Sequence, residues 1–154
     1  MNHSIYYREV YALRQKPGLV FLSNEYIEDL FESHHFNIAD LRIQKESAMF
    51  RVKESPSLIC EKYGLQATED AGEMLQAVLN NDLLYQRQKR RIERMEALLR
   101  TLTDEEAKLV ELRYFKRLPW SEVAKEFNLS VSAIKKRRRE ALLDKARRFL
   151  LTGK

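Results

Sequence analysis

The sequence predicts a mainly α-helical protein in three parts. Only four Gly and three Pro interrupt its 154 residues, while 44% of the residues are hydrophobic and 33% are charged, a balance typical of helical globular domains. Apolar residues recur at helical spacing and follow residues that cap helices. We therefore expect an N-terminal aromatic-rich module at 1–57, a long linking helix at 58–101 and a C-terminal three-helix domain at 102–154.

The sequence lacks the features of several protein classes. No apolar run approaches the ~18 residues of a membrane-spanning helix, and the first residues lack the basic-then-apolar order of a signal peptide. Cys60 is the only cysteine, and no Cys/His set has the spacing of a zinc site. The adjacent His34 and His35 have no third ligand at helical spacing, so we expect ordinary, partly exposed histidines. These observations predict a cytoplasmic protein without membrane contact, metal or cofactor.

The N-terminal module is rich in aromatic residues separated by acidic ones. A surface that stacks nucleic-acid bases would interleave basic residues, so we interpret these aromatics as core. A helix is expected to start at Ser23 or Asn24, either of which can cap it, and a boundary is expected near Pro56. No function follows from residues 1–57. The aromatic residues are Tyr6, Tyr7, Tyr11, Phe21, Tyr26, Phe31, Phe36 and Phe50.

The second segment predicts one long helix from an N-cap at Thr68 to Thr101. Apolar residues recur along it every seven positions, and the companion positions three residues later are polar in the first half and apolar in the second. Two interpretations fit this pattern: the helix covers a flanking domain, or it forms a dimerising coiled coil whose polar positions set the register. The heptad positions are Val78, Tyr85, Ile92 and Leu99.

The C-terminal domain begins with a helix whose start is marked by a capping box, Thr103 with Glu106. We expect Pro119 to end this helix and to suit the first turn of the next. In the second helix, four apolar positions fall at i, i+3, i+4 and i+7 and form one face. The small Ala124 on that face allows another helix to cross closely. The four positions are Trp120, Val123, Ala124 and Phe127.

A turn and a basic helix complete the domain. Asn128 stands where the chain must turn, and Asn tolerates the left-handed conformation that ends a helix. Ser130 can cap the third helix. A helix, a short left-handed turn and a capped basic helix together predict a helix-turn-helix. On the third helix we expect Ile134, Ala141 and Leu142 to face inward and Lys135, Lys136 and Arg139 to face outward.

The charge is concentrated in this domain. Residues 116–154 carry 12 Lys and Arg against four Asp and Glu, a net of +8, and the other 115 residues carry 16 against 19, a net of −3. Such a basic segment favours a polyanionic partner. A helix of this kind enters a DNA major groove about 12 Å wide, N-terminus first. We therefore predict contact with double-stranded DNA, and we expect a fragment beginning near Leu98 to fold and bind DNA more weakly than the full chain. The predicted contact residues are Ser130, Ser132, Lys135, Lys136, Arg137, Arg138 and Arg139.

Residues 102–150 resemble the C-terminal region 4 of bacterial sigma factors, on the blocks "ELRYF", "SEVAKEF" and "NLSVSAIKKR". Together with the charged helix that precedes them, these blocks also resemble, more loosely, phage late-gene transcriptional regulators of the ArpU/RinA type. The sequence departs from the sigma pattern at Arg137 and Arg138, where an aliphatic residue is usual, so we expect one Arg stem to lie along the core. Val131 and Ser132 stand where charged residues are frequent, so promoter specificity does not carry over.

The resemblance implies a regulator of transcription initiation that binds promoter DNA and contacts bacterial RNA polymerase. We expect an activator of phage or prophage genes, associated with the nucleoid of its bacterial host cell, and acting as a homodimer if the heptads pair. Two alternatives remain: a sigma factor proper with a degenerate region 2, and a phage terminase small subunit. The sequence contains no phosphate-binding Gly-rich loop and no nucleophile–base set, which argues against an enzyme.

Overall fold

The structure is a computed structural model that describes residues 22–66 and 70–153. All regular secondary structure in these two ranges is helical, which confirms the mainly α class. Within the same ranges, no helix combines the length and the apolar character that a membrane crossing needs. Some sequence-based expectations fall on residues outside the described ranges, namely those for Thr68, Tyr6, Tyr7, Tyr11 and Phe21.

Four helices account for the first part of the chain. Ser23 begins the first of them, because its hydroxyl oxygen accepts a hydrogen bond from the backbone N–H of Tyr26 at 3.1 Å. Pro56 starts the second helix, and Gly64 ends it in the left-handed conformation with φ of 65°. The helices are α1 (Asn24–Glu54), α2 (Pro56–Tyr63), α3 (Ala71–Asn80) and α4 (Leu83–Arg100).

The single linking helix expected at 58–101 is therefore wrong in its continuity. Asn81 and Asp82 separate α3 from α4. The Asn81 amide donates to the carbonyl of Ala77 at 2.8 Å, and the Asp82 carboxylate accepts from the backbone N–H of Tyr85 at 3.0 Å. Short polar side chains of this kind compete with the backbone for its own hydrogen bonds, so they end one helix and cap the next.

Three helices form the C-terminal part. Helix α5 (Asp104–Val110) continues as a π-helical turn, Glu111–Phe115, and is followed by α6 (Trp120–Glu126). Helix α7 covers residues 131–152 and consists of an α-helical start, Val131–Ala133, a π-helical stretch, Ile134–Arg139, and a longer α-helical part, Glu140–Thr152. Helix α5 thus ends before Pro119, which lies at the N-cap of α6.

The described chain separates into two compact units. Unit 1 consists of residues 22–33 and 97–153, and unit 2 consists of residues 34–96. This division differs from the boundaries at 57 and 101 that the sequence suggests. Helix α1 runs through the position of the first unit boundary without interruption, and its first turns belong to the same unit as the C-terminal domain.

Unit 2 contains a hydrophobic core cluster. The heptad residues Val78 and Tyr85 are buried in it, and Ile92 is also buried. The interpretation in which the linking segment covers its own domain thus agrees with this burial. The amide of Gln88 donates to the Asp40 carboxylate at 3.0 Å and thereby links α4 to α1. The core cluster comprises Ala48, Val52, Cys60, Met74, Leu75, Val78, Leu79 and Tyr85.

His34 and two aromatic residues of α1 differ from expectation. His34 is buried rather than partly exposed, and burial, together with the charge of His35, lowers the pKa of its imidazole. Phe36 and Phe50, interpreted from the sequence as core, are exposed. The aromatic pattern alone does not separate the two faces of this helix, because large apolar residues lie on both.

Unit 1 has its own core, to which the start of α1 contributes. The ring of Phe31 stacks on that of Tyr114 with 5.2 Å between centroids and 20° between planes. On α7 the buried positions are Ile134, Leu142 and Leu143, whereas Ala141, expected inward, is exposed. The buried residues of this unit are Ile27, Leu30, Phe31, Leu98, Leu109, Val110, Leu112, Tyr114, Val123, Ala124, Ile134, Leu142, Leu143 and Ala146.

The π-helical stretch of α7 explains this change of face. A π-turn holds one residue more than an α-turn, so every later position is rotated by one residue. A continuous α-helix starting from Ile134 would turn residues 138 and 141 inward. With the extra residue, Arg139 and Leu142 occupy those places instead.

A substitution at Ala124 tests whether α6 and α7 approach each other closely. Ala124 is buried, and α6 packs against the Ile134–Arg139 stretch. Ala124→Leu should lower the free energy of unfolding of unit 1 by about 1–3 kcal/mol through overpacking. Trp120, the single tryptophan, lies in this unit, so its fluorescence in a urea titration follows the transition. Ala141→Leu is the matched control on the exposed side of α7 and should change stability by less than about 0.5 kcal/mol. Equal effects of the two substitutions would contradict the packing.

Candidate nucleic-acid interface

The turn between α6 and α7 follows the local sequence. Asn128 adopts φ of 53°, and the next backbone N–H, of Leu129, returns to the carbonyl of Ala124 at 3.0 Å. Ser130 caps α7 by accepting a hydrogen bond from the backbone N–H of Ala133 at 3.0 Å. The expected left-handed turn and cap are thus confirmed. The hydroxyl proton of Ser130 is not used by the cap and can still be donated to an acceptor.

The exposed side of α7 presents an uninterrupted run of cations after this cap. Ser132, Lys135, Lys136 and Arg137 are all exposed, and the three cations among them form no ion pair with any described residue. Ile134, which lies in the same π-helical stretch, is fully buried and anchors this part of the helix. The structure thus leaves four predicted contact residues exposed to solvent in the N-terminal half of α7.

Arg138 belongs to the same surface but has a partner. Its guanidinium forms an ion pair with the carboxylate of Glu105 on α5, and both side chains are largely exposed. Exposed ion pairs contribute about 0–1 kcal/mol, so Arg138 can exchange this carboxylate for another anion at little cost. The stem of an arginine was expected along the core at position 137 or 138, but both of these residues are exposed.

Arg139 is the predicted contact residue that the structure turns away from the surface. Its guanidinium pairs with the carboxylate of Glu28 on α1, with side-chain exposures of 22% and 17%, and it also donates to Glu140 at 3.0 Å. The same Glu28 carboxylate accepts the hydroxyl of Tyr114 at 2.8 Å. The hydrogen bond that the Arg139 guanidinium donates to Glu28 raises the pKa of that guanidinium. Arg139 is thus a structural residue of unit 1, and the expectation that it faces outward is wrong.

Tyr114 makes unit 1 sensitive to alkaline pH. Burial raises the pKa of its hydroxyl above the ordinary value of 10.0, and the negative charge of Glu28 raises this pKa further. Because the folded protein holds this proton more tightly than the unfolded chain, the resulting stability is full below about pH 10 and is lost as the pH rises above it. With Tyr114→Phe, the free energy of unfolding followed by Trp120 fluorescence should fall less steeply between about pH 9.5 and 11.5 than in the wild type. Identical slopes would show that Tyr114 does not contribute.

Two other cations of α7 are also used inside the unit. Lys145 donates to the backbone carbonyl of Thr101 and to the carboxylate of Glu106, both at 2.9 Å. Arg147 donates to the carbonyl of Leu22 at 2.8 Å and also contacts Asn24. The net positive charge of the C-terminal segment therefore overstates the charge available to a ligand. The cations left on α7 are concentrated at its N-terminal half.

Some residues that support this surface are not evident from the sequence. Arg113 lies over the ring of Trp120, 4.6 Å from its centroid, and donates to the carbonyl of Leu118 at 2.9 Å, so it holds the loop that precedes α6. That loop exposes two further cations, Lys116 and Arg117. Arg117 has φ of 56°, a conformation that is uncommon for a residue other than Gly. No sequence pattern distinguishes these cations from an ordinary solvated face.

The comparisons with known proteins give one match. No curated protein and no solved structure matches the chain. A single family model covers most of it, from the first turn of α1 to the middle of α7. The chain belongs to the family described as protein of unknown function (DUF722), whose model matches residues 26–145.

Proposed function

We propose that α6, the Asn128 turn and α7 form a helix-turn-helix that binds double-stranded DNA. The observation that carries this proposal is the exposed run Lys135–Arg137, which lies directly after a capped helix N-terminus and forms no ion pair within residues 22–66 and 70–153. A purely structural basic helix would be expected to distribute or pair its cations. Here Arg139, Lys145 and Arg147 are paired within the unit, whereas Lys135, Lys136 and Arg137 are exposed and form no ion pair with any described residue.

The arrangement suits a major groove. The first turns of α7 would enter the groove, with the hydroxyls of Ser130 and Ser132 close enough to reach base edges or phosphates. Lys135, Lys136 and Arg137 would neutralise phosphates along the groove, and Arg138 would join them after leaving Glu105. Lys116 and Arg117, before α6, would contact the backbone on the side where the first helix of such a pair crosses it.

The biological role that we propose is regulation of transcription initiation at phage or prophage promoters. Its support is the resemblance of residues 102–150 to region 4 of sigma factors, which also implies contact with host RNA polymerase. The protein would act as a DNA-binding regulator rather than as an enzyme, and it would do so in the cytoplasm at the bacterial nucleoid.

Selection from random duplex DNA tests this proposal. The purified full chain is incubated with a random duplex library, with and without host RNA polymerase, and the bound DNA is sequenced. We expect a shared motif in the arm without polymerase and stronger enrichment when polymerase is present. Equal recovery of all sequences in both arms would contradict a sequence-specific regulator. Binding to polymerase without any DNA preference would favour the sigma-factor alternative instead.

A further inference from the structure

An exposed apolar stripe runs along the part of α1 that belongs to unit 2. Phe36, Ile43 and Phe50 are spaced seven residues apart, and 54%, 63% and 64% of their surfaces are exposed. Seven residues correspond to almost two helical turns, so the three side chains lie on one face of the helix. We call these three residues the α1 stripe.

The fold of unit 2 does not need the α1 stripe. The opposite face of α1 is already packed, since His34, Ala48 and Val52 are buried on it. Three large apolar side chains in line on one exposed helix face are unusual, whereas single exposed apolar residues are ordinary. Such a patch is typical of an interface with another protein surface.

The residues around the stripe are related by a two-fold pattern centred on Ile43. Phe36 and Phe50 lie seven residues before and after Ile43, and the small residues Ala39 and Ser47, both exposed, lie four residues before and after it. If a second copy of α1 lies antiparallel across the first at Ile43, Phe36 of each copy lies opposite Phe50 of the other. An interface between identical chains requires this self-complementarity.

The charged residues beside the stripe agree with the same arrangement. Arg42 and Glu46 are exposed on one edge of the α1 stripe, and neither forms an ion pair with a described residue. In an antiparallel pair centred on Ile43, like edges face each other, so Arg42 of each copy approaches Glu46 of the other. Opposite charges thus meet twice at the rim of the patch.

We propose that the α1 stripe is a homodimer interface in which two copies of α1 pack antiparallel about a two-fold axis at Ile43. Of the four heptad positions that the sequence offers for dimerisation, Val78, Tyr85 and Ile92 are buried within the chain and are not available for this purpose, and Leu99 is partly buried. The inference does not depend on DNA binding. If both proposals hold, the dimer joins two copies of the α6–α7 pair and strengthens binding to paired sites.

Analytical ultracentrifugation of the full chain tests the interface. We expect a reversible dimer in the wild type, and we expect Ile43→Glu to raise the dissociation constant at least about tenfold, because it buries unpaired charge at the axis. Leu84→Glu is the matched control: Leu84 is 73% exposed in the same unit but lies on α4, and its replacement should leave the dimer intact. A wild type that stays monomeric up to about 100 µM, or a dimer that L84E dissociates and I43E does not, would overturn the proposal.

Two further variants separate loss of the dimer from loss of the fold. Arg42→Glu should weaken the dimer by setting like charges against each other, and the double exchange Arg42→Glu with Glu46→Arg should restore it. In a Cys60→Ala background, Ile43→Cys should form a disulfide with the second copy under oxidation, because the same residue meets itself only at the axis. Phe36→Cys should cross-link when mixed with Phe50→Cys and not by itself. Cross-linking of Phe36→Cys alone, or no rescue by the double exchange, would overturn the antiparallel arrangement.

Discussion

Replacing Phe31 with Ala should lower the free energy of unfolding of unit 1 by about 3–5 kcal/mol. Phe31 is fully buried and stacks on Tyr114, so the substitution removes an aromatic contact and leaves a cavity between α1 and α5. The measurement is a urea titration followed by Trp120 fluorescence, which reports on this unit. The control is Leu151→Ala in α7, an exposed apolar residue of the same unit, with an expected change below about 0.5 kcal/mol. Similar midpoints for the two variants would show that α1 is not part of the unit 1 core.

A fragment of residues 97–154, which lacks α1 altogether, extends this prediction. From the sequence, the last third of the chain contains every helix of the predicted DNA-binding domain, and such a fragment is expected to fold. The structure adds Ile27, Leu30 and Phe31 to the core of this unit, and it adds Glu28 as the partner of Tyr114 and Arg139. Without them, Arg139 has no carboxylate partner on α1 and a core surface is exposed. We therefore expect the fragment to show weak helical circular dichroism and no cooperative unfolding transition.

Removing three exposed cations should abolish specific DNA binding without affecting the fold. We expect Lys135→Ala, Lys136→Ala and Arg137→Ala together to lower affinity for a selected duplex at least about 100-fold, since three phosphate contacts would be lost at once. The slope of log affinity against log salt should decrease by about 0.9 for each phosphate that is no longer neutralised. Fluorescence anisotropy with a labelled duplex, repeated at several salt concentrations, measures both quantities. Arg139 is left in place, because its removal would disturb the ion pair with Glu28.

A variant with the same change of charge elsewhere provides the control. Arg87, Lys89 and Arg90 are exposed on α4 in unit 2, and their replacement by Ala removes three positive charges as well. If binding depended only on net charge, both triple variants would lose affinity to the same degree. We expect the α4 variant to keep nearly full affinity, and comparable losses in the two variants would contradict the proposed interface.

Features that depend on neighbouring residues were predicted correctly from the sequence. The caps at Thr103 and Ser130 and the left-handed turn at Asn128 each involve residues no more than five positions apart, and all three are observed. The same kind of reasoning missed the break at Asn81 and Asp82, because the apolar heptads continue across it. At this position the apolar heptads favour a continuous helix, whereas the side chains of Asn81 and Asp82 form hydrogen bonds with the backbone that interrupt it, and the structure shows the interruption.

The exposed aromatic residues of α1 show a different limit of prediction from the sequence. Phe31, Phe36 and Phe50 look alike in the sequence, yet the first is buried and the other two face solvent. Hydrophobicity indicates that a side chain gains by leaving water, but it does not specify which surface covers it. Only the packing of the other helices decides which face of α1 is covered, and it leaves the α1 stripe exposed.

By itself, the sequence determined the helical class, the caps at Thr103 and Ser130, the left-handed turn and the concentration of positive charge in the last third of the chain. Only the tertiary structure decided which of those charges reach the solvent. The π-helical stretch Ile134–Arg139 rotates the later part of α7 by one residue, and this places Arg139 against Glu28, which lies 111 positions earlier in the chain. π-Helical turns are rare within α-helices, and local sequence does not predict where they occur. No local pattern encodes the contact between Arg139 and Glu28, and for this reason Arg139 could not be separated from Lys135, Lys136 and Arg137 before the fold was known.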